Sequence, residues 1–468
     1  MRSIGLILFS CWICFASMQI KAQDKTLSLE QTLDIIRKYH PVAKQAAIEV
    51  SMAKAALQSS RGAFDPAFYL STDRKTFTGV DYYFHSNPEL KIPTWFGIDV
   101  KAGVENNFGQ RIAPDITLSK SSYVGVTIPV LKGLLFDKRR AALKQGKIMV
   151  NMSRQEQLLM LNDLLFDATE AYWKWVSAQQ SYLIFTNALT TNKARFELVR
   201  KAFISGDRAG IDTTEALSQL QSIEAMQTQY GFELQKARLT LSNFLWKENN
   251  EPYELSEDIQ PDPSWNLVPL PTYPLPNLGQ TIDTAIQFHP KMVSMDFKMD
   301  VLNLEKRLKF QSLLPKFDIN YNFLNKGYAF NNMLGQPLFN NNYKYGVLFA
   351  LPLLQREARG DYKMAGLKIN DLDFSTMQTR LEISNKVKTY FNELLAMQKQ
   401  SILFQDNVRN QQALLKAEEM RFSIGESSMF LVNARENKLL ETTQKLAELK
   451  TKFFKSLMAV QWAAGQVR

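Results

Sequence analysis

The sequence predicts an α+β chain in which long antiparallel coiled-coil helices frame a small set of aromatic strands, the whole plan being used twice. Three observations carry that prediction. An ordered series of matching residues runs through both halves of the chain. Each half holds one very long stretch with apolar residues at alternating steps of three and four, the signature of a coiled-coil seam. Ahead of each long stretch lie aromatic segments with two-residue alternation, the period of a strand.

The matching residues fix the layout. Gln31-Thr32-Leu33-Asp34 followed by His40-Pro41 returns as Gln280-Thr281-Ile282-Asp283 followed by His289-Pro290, at an offset of 249 that persists to Pro66 and Pro315. The offset then falls to 223, pairing Pro129 with Pro352, so the first half carries 26 extra residues between about Thr72 and Ser122. At 219 it aligns Phe203-Ile204-Ser205-Gly206 with Phe422-Ser423-Ile424-Gly425. Such self-similarity divides the chain into residues 23–251, a connector 252–276 and residues 277–468.

Residues 1–22 read as a secretory signal: Arg2, an apolar run Ile4–Phe15 too short to span a membrane as a mature helix, and Ala22 before the expected cut. A retained anchor is the alternative. A lipid-modified Cys11 is disfavoured by bulky Phe9 and by the apolar run beyond it. The first helix is expected from about Leu29 to Ser60, opened by a capping box of Ser28 and Gln31. Strands are expected at Phe68–Phe77, Trp95–Phe108 and Tyr123–Leu131, then at Phe317–Leu324 and Tyr343–Leu353 in the second half. Three strands in the first half raise a parity problem for a chain that must cross an even number of times. Either a short strand hides near Val80–Leu90 or the insertion is an external loop or lateral hairpin, and the loop or hairpin is the reading preferred.

The long helices are expected at Lys138–Ser205 and Arg359–Ile424, 68 and 66 residues, each reaching about 100 Å at roughly 1.5 Å per residue. Stepping from Leu158 through Leu165, Tyr172, Trp175, Gln179 and on to Phe203, ten of fourteen seam positions are apolar. A returning helix follows each Gly turn. The connector 252–276 holds seven prolines, which fix φ and remove donors, so an extended segment without regular structure is expected.

Composition excludes much chemistry. The only cysteines are Cys11 and Cys14, and there are three histidines, so no structural zinc site, disulfide framework or cysteine nucleophile can be built after cleavage. His40 and His289 precede prolines in the repeated motif and His85 is isolated in an expected loop, which favours structural over catalytic roles. No enzyme, cofactor or metal is expected. The net charge of +10 is scattered among acids along helices, apart from Lys138-Arg139-Arg140, and export argues against nucleic acid. Mean hydropathy is slightly negative, so no bundle of apolar spanning helices is hidden.

The twice-used Thr-[Leu/Ile]-Asp…His-Pro opening, the twice-used Phe-x-x-Gly turn and the steps Gly425, Ser428, Leu431, Ala434 resemble the TolC family of outer-membrane efflux proteins, over about Leu27 to Gly465. The resemblance implies a homotrimer in which each protomer gives four strands to a twelve-stranded outer-membrane barrel and its helices to a periplasmic tunnel. Closure by three chains suits the physics, since open strand edges are intolerable in lipid. Aromatics such as Tyr69, Trp95, Phe317, Tyr321, Tyr343 and Tyr345 would form interfacial girdles; the other reading is the core of a soluble β domain.

By the same resemblance the chain would be a passive exit duct for a tripartite efflux or type I secretion system, joined through a periplasmic adaptor to an inner-membrane transporter. The tip turns, Gly206, Asp207, Arg208, Gly425, Glu426 and Ser427, would dock the adaptor. Asp212, Phe422 and Leu431 would line the throat. Asp212 matches an acidic position of the family, and three copies at a constriction would favour cations; as a helix-start carboxylate it needs no such role. Leu431 and Ala434 stand where the family carries acids, and Phe422 and Ser427 where it carries Tyr and Arg, which puts a strong acidic gate in doubt. The alternative is a periplasmic coiled-coil scaffold or adaptor without a pore.

Overall fold

The computed structural model of the chain describes residues 26–112, 119–328, 330, 338, 339 and 342–467. The expected signal segment, with Cys11 and Cys14, lies outside the described residues. The chain divides into two compact units. One holds the residues up to Ile36, Ala168–Tyr273 and Gln400–Thr451; the other holds Arg37–Asp167, Pro274–Lys399 and Lys452–Arg468.

The elements in order are β1 (Thr26–Leu27), α1 (Leu29–Tyr39), α2 (Pro41–Arg61), β2 (Ala67–Phe77), β3 (Val80–Pro93), β4 (Asp99–Phe108), β5 (Lys120–Pro129), α3 (Lys138–Ile204) and α4 (Gly210–Ser242). Then come β6 (Gln260–Pro261), α5 (Leu278–Phe288), α6 (Pro290–Gln311), β7 (Lys316–Lys326), β8 (Tyr343–Ala350), α7 (Arg356–Ser423) and α8 (Met429–Ala463).

The predicted capping box forms: the Gln31 N–H donates to Ser28 Oγ at 3.2 Å and the Ser28 N–H to Gln31 Oε1 at 2.9 Å. The single helix expected over Leu29–Ser60 is instead two, because His40 precedes a proline and is held extended at φ −65, ψ 134. Its Nδ1 accepts the Val42 N–H at 3.2 Å, and His289 accepts the Lys291 N–H at 3.1 Å in the same way before α6. Both histidines are helix N-caps.

In the first unit the connector is more ordered than its prolines suggest. β1 and β6 pair in parallel, and two short 3-10 turns, Pro263–Leu267 and Leu270–Thr272, bury Trp265 and Leu270. The Tyr172 hydroxyl donates to the Leu27 carbonyl at 3.0 Å, tying α3 to β1. Burial within this unit raises the Tyr172 hydroxyl well above the ordinary phenol range, with the Asp262 carboxylate adding to it. Along α3 the expected seam is buried from Leu165 to Gln179. Beyond it the buried positions are Ser181, Phe185, Ala188, Asn192 and Val199, one residue ahead of the heptad stepping.

In the second unit Ala285, Met292, Ile383, Val387, Ala463 and Ala464 form a hydrophobic core. Above it Trp462 stacks on Phe166 at 4.3 Å, donates to Asp163 Oδ1 at 2.6 Å and carries the Lys386 ammonium over its ring. The end of α8 packs on the His289-Pro290 pair so closely that a Cβ on Gly465 would lie 2.6 Å from Pro290 Cδ.

The sheet of the second unit is antiparallel, in the order β2-β3-β4-β5-β7-β8. It has six strands, one more than the five segments expected from the sequence. Of the two alternatives for the insertion, the strand near Val80–Leu90 is the one found and the preferred external loop or lateral hairpin is not: Val80–Leu90 is most of β3, and His85, expected in a loop, lies inside that strand. Parity is met because the first half contributes four strands and the second two.

Register sorts this sheet into two chemically distinct faces. One row of directly paired residues reads Phe68, Leu90, Ala102, Val124, Phe323, Tyr343, and another Ile92, Val100, Val126, Tyr321, Tyr345. The opposite face reads Ala67, Lys91, Lys101, Gly125, Asn322, Lys344. The second face carries polar contacts between strands, Tyr123 to Glu89 at 2.6 Å, Thr127 to Asn320 at 2.6 Å and Lys91 to Asp99 at 3.1 Å, and on the first face Arg74 meets Asp81 at 2.7 Å near the β2–β3 turn. Gly103 leaves room for the Tyr123 ring, whose hydroxyl would lie 2.5 Å from a Cβ there. Of the expected girdle aromatics, Phe317, Tyr321, Tyr343 and Tyr345 share the apolar face. Tyr69 pairs with Glu89 on the polar one, and Trp95 sits in the β3–β4 turn.

Candidate functional site

The two Gly turns are built alike. At the end of α3 the Asp207 N–H reaches back to the Ala202 carbonyl at 2.9 Å and the Gly206 N–H to Phe203 at 3.0 Å, with Gly206 at φ 81. At the end of α7 the Glu426 N–H reaches Arg421 at 2.9 Å and the Gly425 N–H reaches Phe422 at 3.1 Å, with Gly425 at φ 82. This is the left-handed Schellman termination, which satisfies the last helical carbonyls and favours glycine for its backbone freedom. No atom lies within 4 Å of a Cβ built on either glycine, so the conformation alone makes the demand.

The turns meet through Arg208. Its guanidinium lies over the Phe422 ring at 4.1 Å and donates to the Phe422 carbonyl. Ser427 donates to Glu418, which is 7 % exposed. Arg208 and Ser427 are therefore half-buried, whereas Gly206, Asp207, Gly425 and Glu426 are exposed. Phe422 packs with Phe196 and Leu415 against the buried cluster of Val199, Ala216, Met429 and Val432. Asp212 stands in the first turn of α4, where the helix dipole favours a carboxylate. Leu431 is exposed. Of the three expected throat residues, Phe422 thus packs inward while Asp212 and Leu431 remain at least partly open to solvent.

Around the turns sit large apolar side chains in water: Ile204 at 75 %, Ile211 at 67 %, Ile424 at 69 % and Phe430 at 62 % exposure. Large apolar side chains exposed beside a helical turn suit a partner.

Behind the turns lies a polar cluster that the sequence did not reveal. Glu436 accepts from Arg195 at 2.7 Å, Asn192 at 3.1 Å and Gln219 at 3.4 Å. Arg195 also meets Glu419 at 2.9 Å, and Gln219 pairs with Asn437 at 2.7 Å. Side chains of α3 and α4 thus close on one buried carboxylate of α8, and α7 joins through Glu419 on Arg195. The available signal was an acid on the buried stripe Met429, Val432, Glu436; its partner is 241 residues away.

In the second unit, the start of α3 meets the β3–β4 turn. Arg139 pairs with Asp99 at 2.8 Å. Arg140 donates to the Leu134 carbonyl at 2.9 Å and the Phe96 carbonyl at 3.4 Å, and pairs with Asp137 at 3.3 Å. Asp99 and Asp137 hold Arg139 above the usual guanidinium range despite its burial. A cavity of about 600 Å³ opens here, lined by Gly97, Asp99, Asp137, Arg139, Lys309 and Asp318 among others. Among the described residues no group of three His, Cys, Asp or Glu is placed to hold a metal ion, and no helix is long and apolar enough to cross a membrane.

Long helix pairs ending in tight glycine turns, joined to a two-faced antiparallel sheet, define the fold of the TolC-type outer-membrane channels. No protein-family model matches the sequence, and no curated protein matches it either. Solved structures do. The Campylobacter jejuni CmeC outer membrane channel is 14 % identical, with a TM-score of 0.65 over 94 % of this chain and 86 % of that one. The outer-membrane channel OprN is 14 % identical, with a TM-score of 0.67 over 94 % and 90 %. The open state of the Neisseria gonorrhoeae MtrE outer membrane channel is 12 % identical, with a TM-score of 0.67 over 94 % and 89 %.

Proposed function

We propose that this chain is the protomer of an outer-membrane efflux channel of the TolC family: a passive exit duct, assembled as a homotrimer, with strands in the outer membrane and helices in the periplasm. The observation that carries the reading is the sheet whose two faces separate by polarity, strand after strand, in register. Apolar rows suit lipid and charged rows suit a water-filled lumen. A soluble scaffold would leave Phe68, Leu70, Tyr345, Val347 and Phe349 exposed without purpose, at 54 % or more.

The energy for transport would come from an inner-membrane transporter, in a tripartite efflux or type I secretion system, linked by a periplasmic adaptor. We read residues 23–251 and 277–468 as duplicated halves that bring two equivalent turns to one docking end. Ile204, Ile211, Ile424 and Phe430 are the contact surface at that end, framed by Gly206, Asp207, Gly425 and Glu426.

Fractionation and bilayer recording test the reading together. Heat-resistant trimers in outer membranes that conduct ions as single channels are expected, and photo-crosslinkers at Ile211 and Phe430 should capture a periplasmic adaptor. A soluble, non-conducting monomer would defeat the proposal.

A further inference from the structure

We infer that this chain lends six strands, not four, to the membrane barrel, so that three copies close an eighteen-stranded wall through pairing of β8 with β2 of the next copy. The inference rests on the trimeric channel reading and goes past it in the strand count and the identity of the joining edges.

β2 and β3 are the strands in question, and several observations make them wall rather than flap. β3 pairs with β4 from Phe84↔Phe108 down to Pro93↔Asp99, near the full length of both strands. β2 pairs with β3 over its whole length, from Ala67↔Lys91 to Phe77↔Val80. Toward the helix end the division of faces continues: Phe68, Leu70, Leu90 and Ile92 extend the apolar rows, and Tyr69, Glu89 and Lys91 extend the polar ones, while beyond Leu70 the apolar side of β2 turns polar at Thr72, Arg74 and Thr76. The β3–β4 turn is fastened at the helix end of the sheet by Arg139 on Asp99 and by Arg140 on the Phe96 carbonyl. Strands of 11 and 14 residues are each long enough to cross.

The alternative, a twelve-stranded barrel built from β4, β5, β7 and β8, would need β8 of a neighbour to pair with β4. That edge of β4 is already taken by β3. Stripping it inside hydrocarbon leaves a ladder of backbone groups without partners, which the bilayer core does not tolerate. The free edges are β2 and β8. Because six strands alternate in direction, β8 runs antiparallel to β2, so β8 can meet β2 of the next copy and every pair remains antiparallel. A single chain cannot close on itself, since six strands fall below the smallest known barrels of about eight. The second copy is therefore the occupant of these edges.

At a strand spacing of about 4.8 Å and a tilt of about 40°, eighteen strands give a backbone diameter of roughly 36 Å, against roughly 24 Å for twelve. That is the size class of barrels with an aqueous channel.

Cysteine pairing in the full-length chain tests this, since no cysteine follows Cys14. Leu70→Cys on β2 is combined in turn with Tyr345→Cys, Val347→Cys and Phe349→Cys on β8, and Ala102→Cys on β4 is combined with the same three. Oxidation should link copies into covalent dimers and trimers only in the β2 series, and electron microscopy of the untreated assembly should count eighteen strands. Linking only in the β4 series, or a count of twelve in an intact trimer, overturns the inference and leaves the channel reading standing. A monomeric particle with no intermolecular link in either series overturns both.

Discussion

Glu436 offers the sharpest test of how the helical tip is held. Its side chain is 6 % exposed and its Arg195 partner 14 %, while the second acid on Arg195, Glu419, is 45 % exposed. Glu436→Ala removes the acceptor shared by Arg195, Asn192 and Gln219. Removing one partner of a buried pair costs about 3–5 kcal/mol, because the other charge stays desolvated. Arg195 keeps Glu419, which places the expected loss near the lower end, about 3 kcal/mol. Glu419→Ala breaks only a half-solvated pair and should cost under about 1 kcal/mol.

Hydrogen exchange of the assembled protein resolves the difference locally. At about 1.4 kcal/mol per tenfold, amides of 192–199 and 432–437 should exchange roughly a hundredfold faster in the Glu436 variant and under about fivefold faster in the Glu419 variant. Replacing the pair together, Arg195→Met with Glu436→Leu, should recover most of the protection, since a well-packed apolar pair can replace a buried ion pair. Equal, small accelerations in the two single variants would refute the reasoning.

Gly206→Ala should destabilise its turn by about 1–2 kcal/mol, the cost of a left-handed residue with open space around it. Gly465→Ala should cost more in thermal melts, because its Cβ would also strike Pro290 and His289. His289 is held near pKa 4 by burial, with Lys386 and Lys291 adding to the effect, against 6.5 for an ordinary histidine. Between those values the unfolded chain binds the extra proton, so stability is complete above about pH 6.5 and falls, by at most roughly 3 kcal/mol, as pH drops toward 4. His289→Asn, which keeps an N-cap acceptor without titrating, should flatten that slope in pH-dependent denaturant melts. Asp212→Asn should lower the cation preference of single channels while leaving them open, and unchanged selectivity would leave Asp212 as a helix-start carboxylate alone.

Much of the architecture was legible because local chemistry decided it. The capping box at Ser28, both glycine turns and the limits of α3 and α7 follow from signals a few residues wide. β3 was legible only as the second of two alternatives for an equally local reason: Pro88 and the polar run His85-Ser86-Asn87 resemble a loop more than a strand. The sheet accommodates Pro88 by omitting Asn87 and Pro88 from the pairing with β4, which resumes at Glu89↔Gly103. The helix break at His40 is signalled by the following proline, which disfavours helical backbone at the residue before it. The Arg195–Glu436 pair was out of reach, because nothing near either residue indicates the other.

Gly103 and Tyr123 lie on neighbouring strands, with the ring occupying the volume a side chain at 103 would need. Neither position is free to drift by itself. A larger residue at 103 must wait for a smaller one at 123, and shrinking 123 first would strand Glu89 without its hydroxyl partner. In related chains the two sites should therefore change as a pair, small opposite large. A chain carrying bulk at both would have to part the strands there, and that would report a different path for the sheet between β4 and β5.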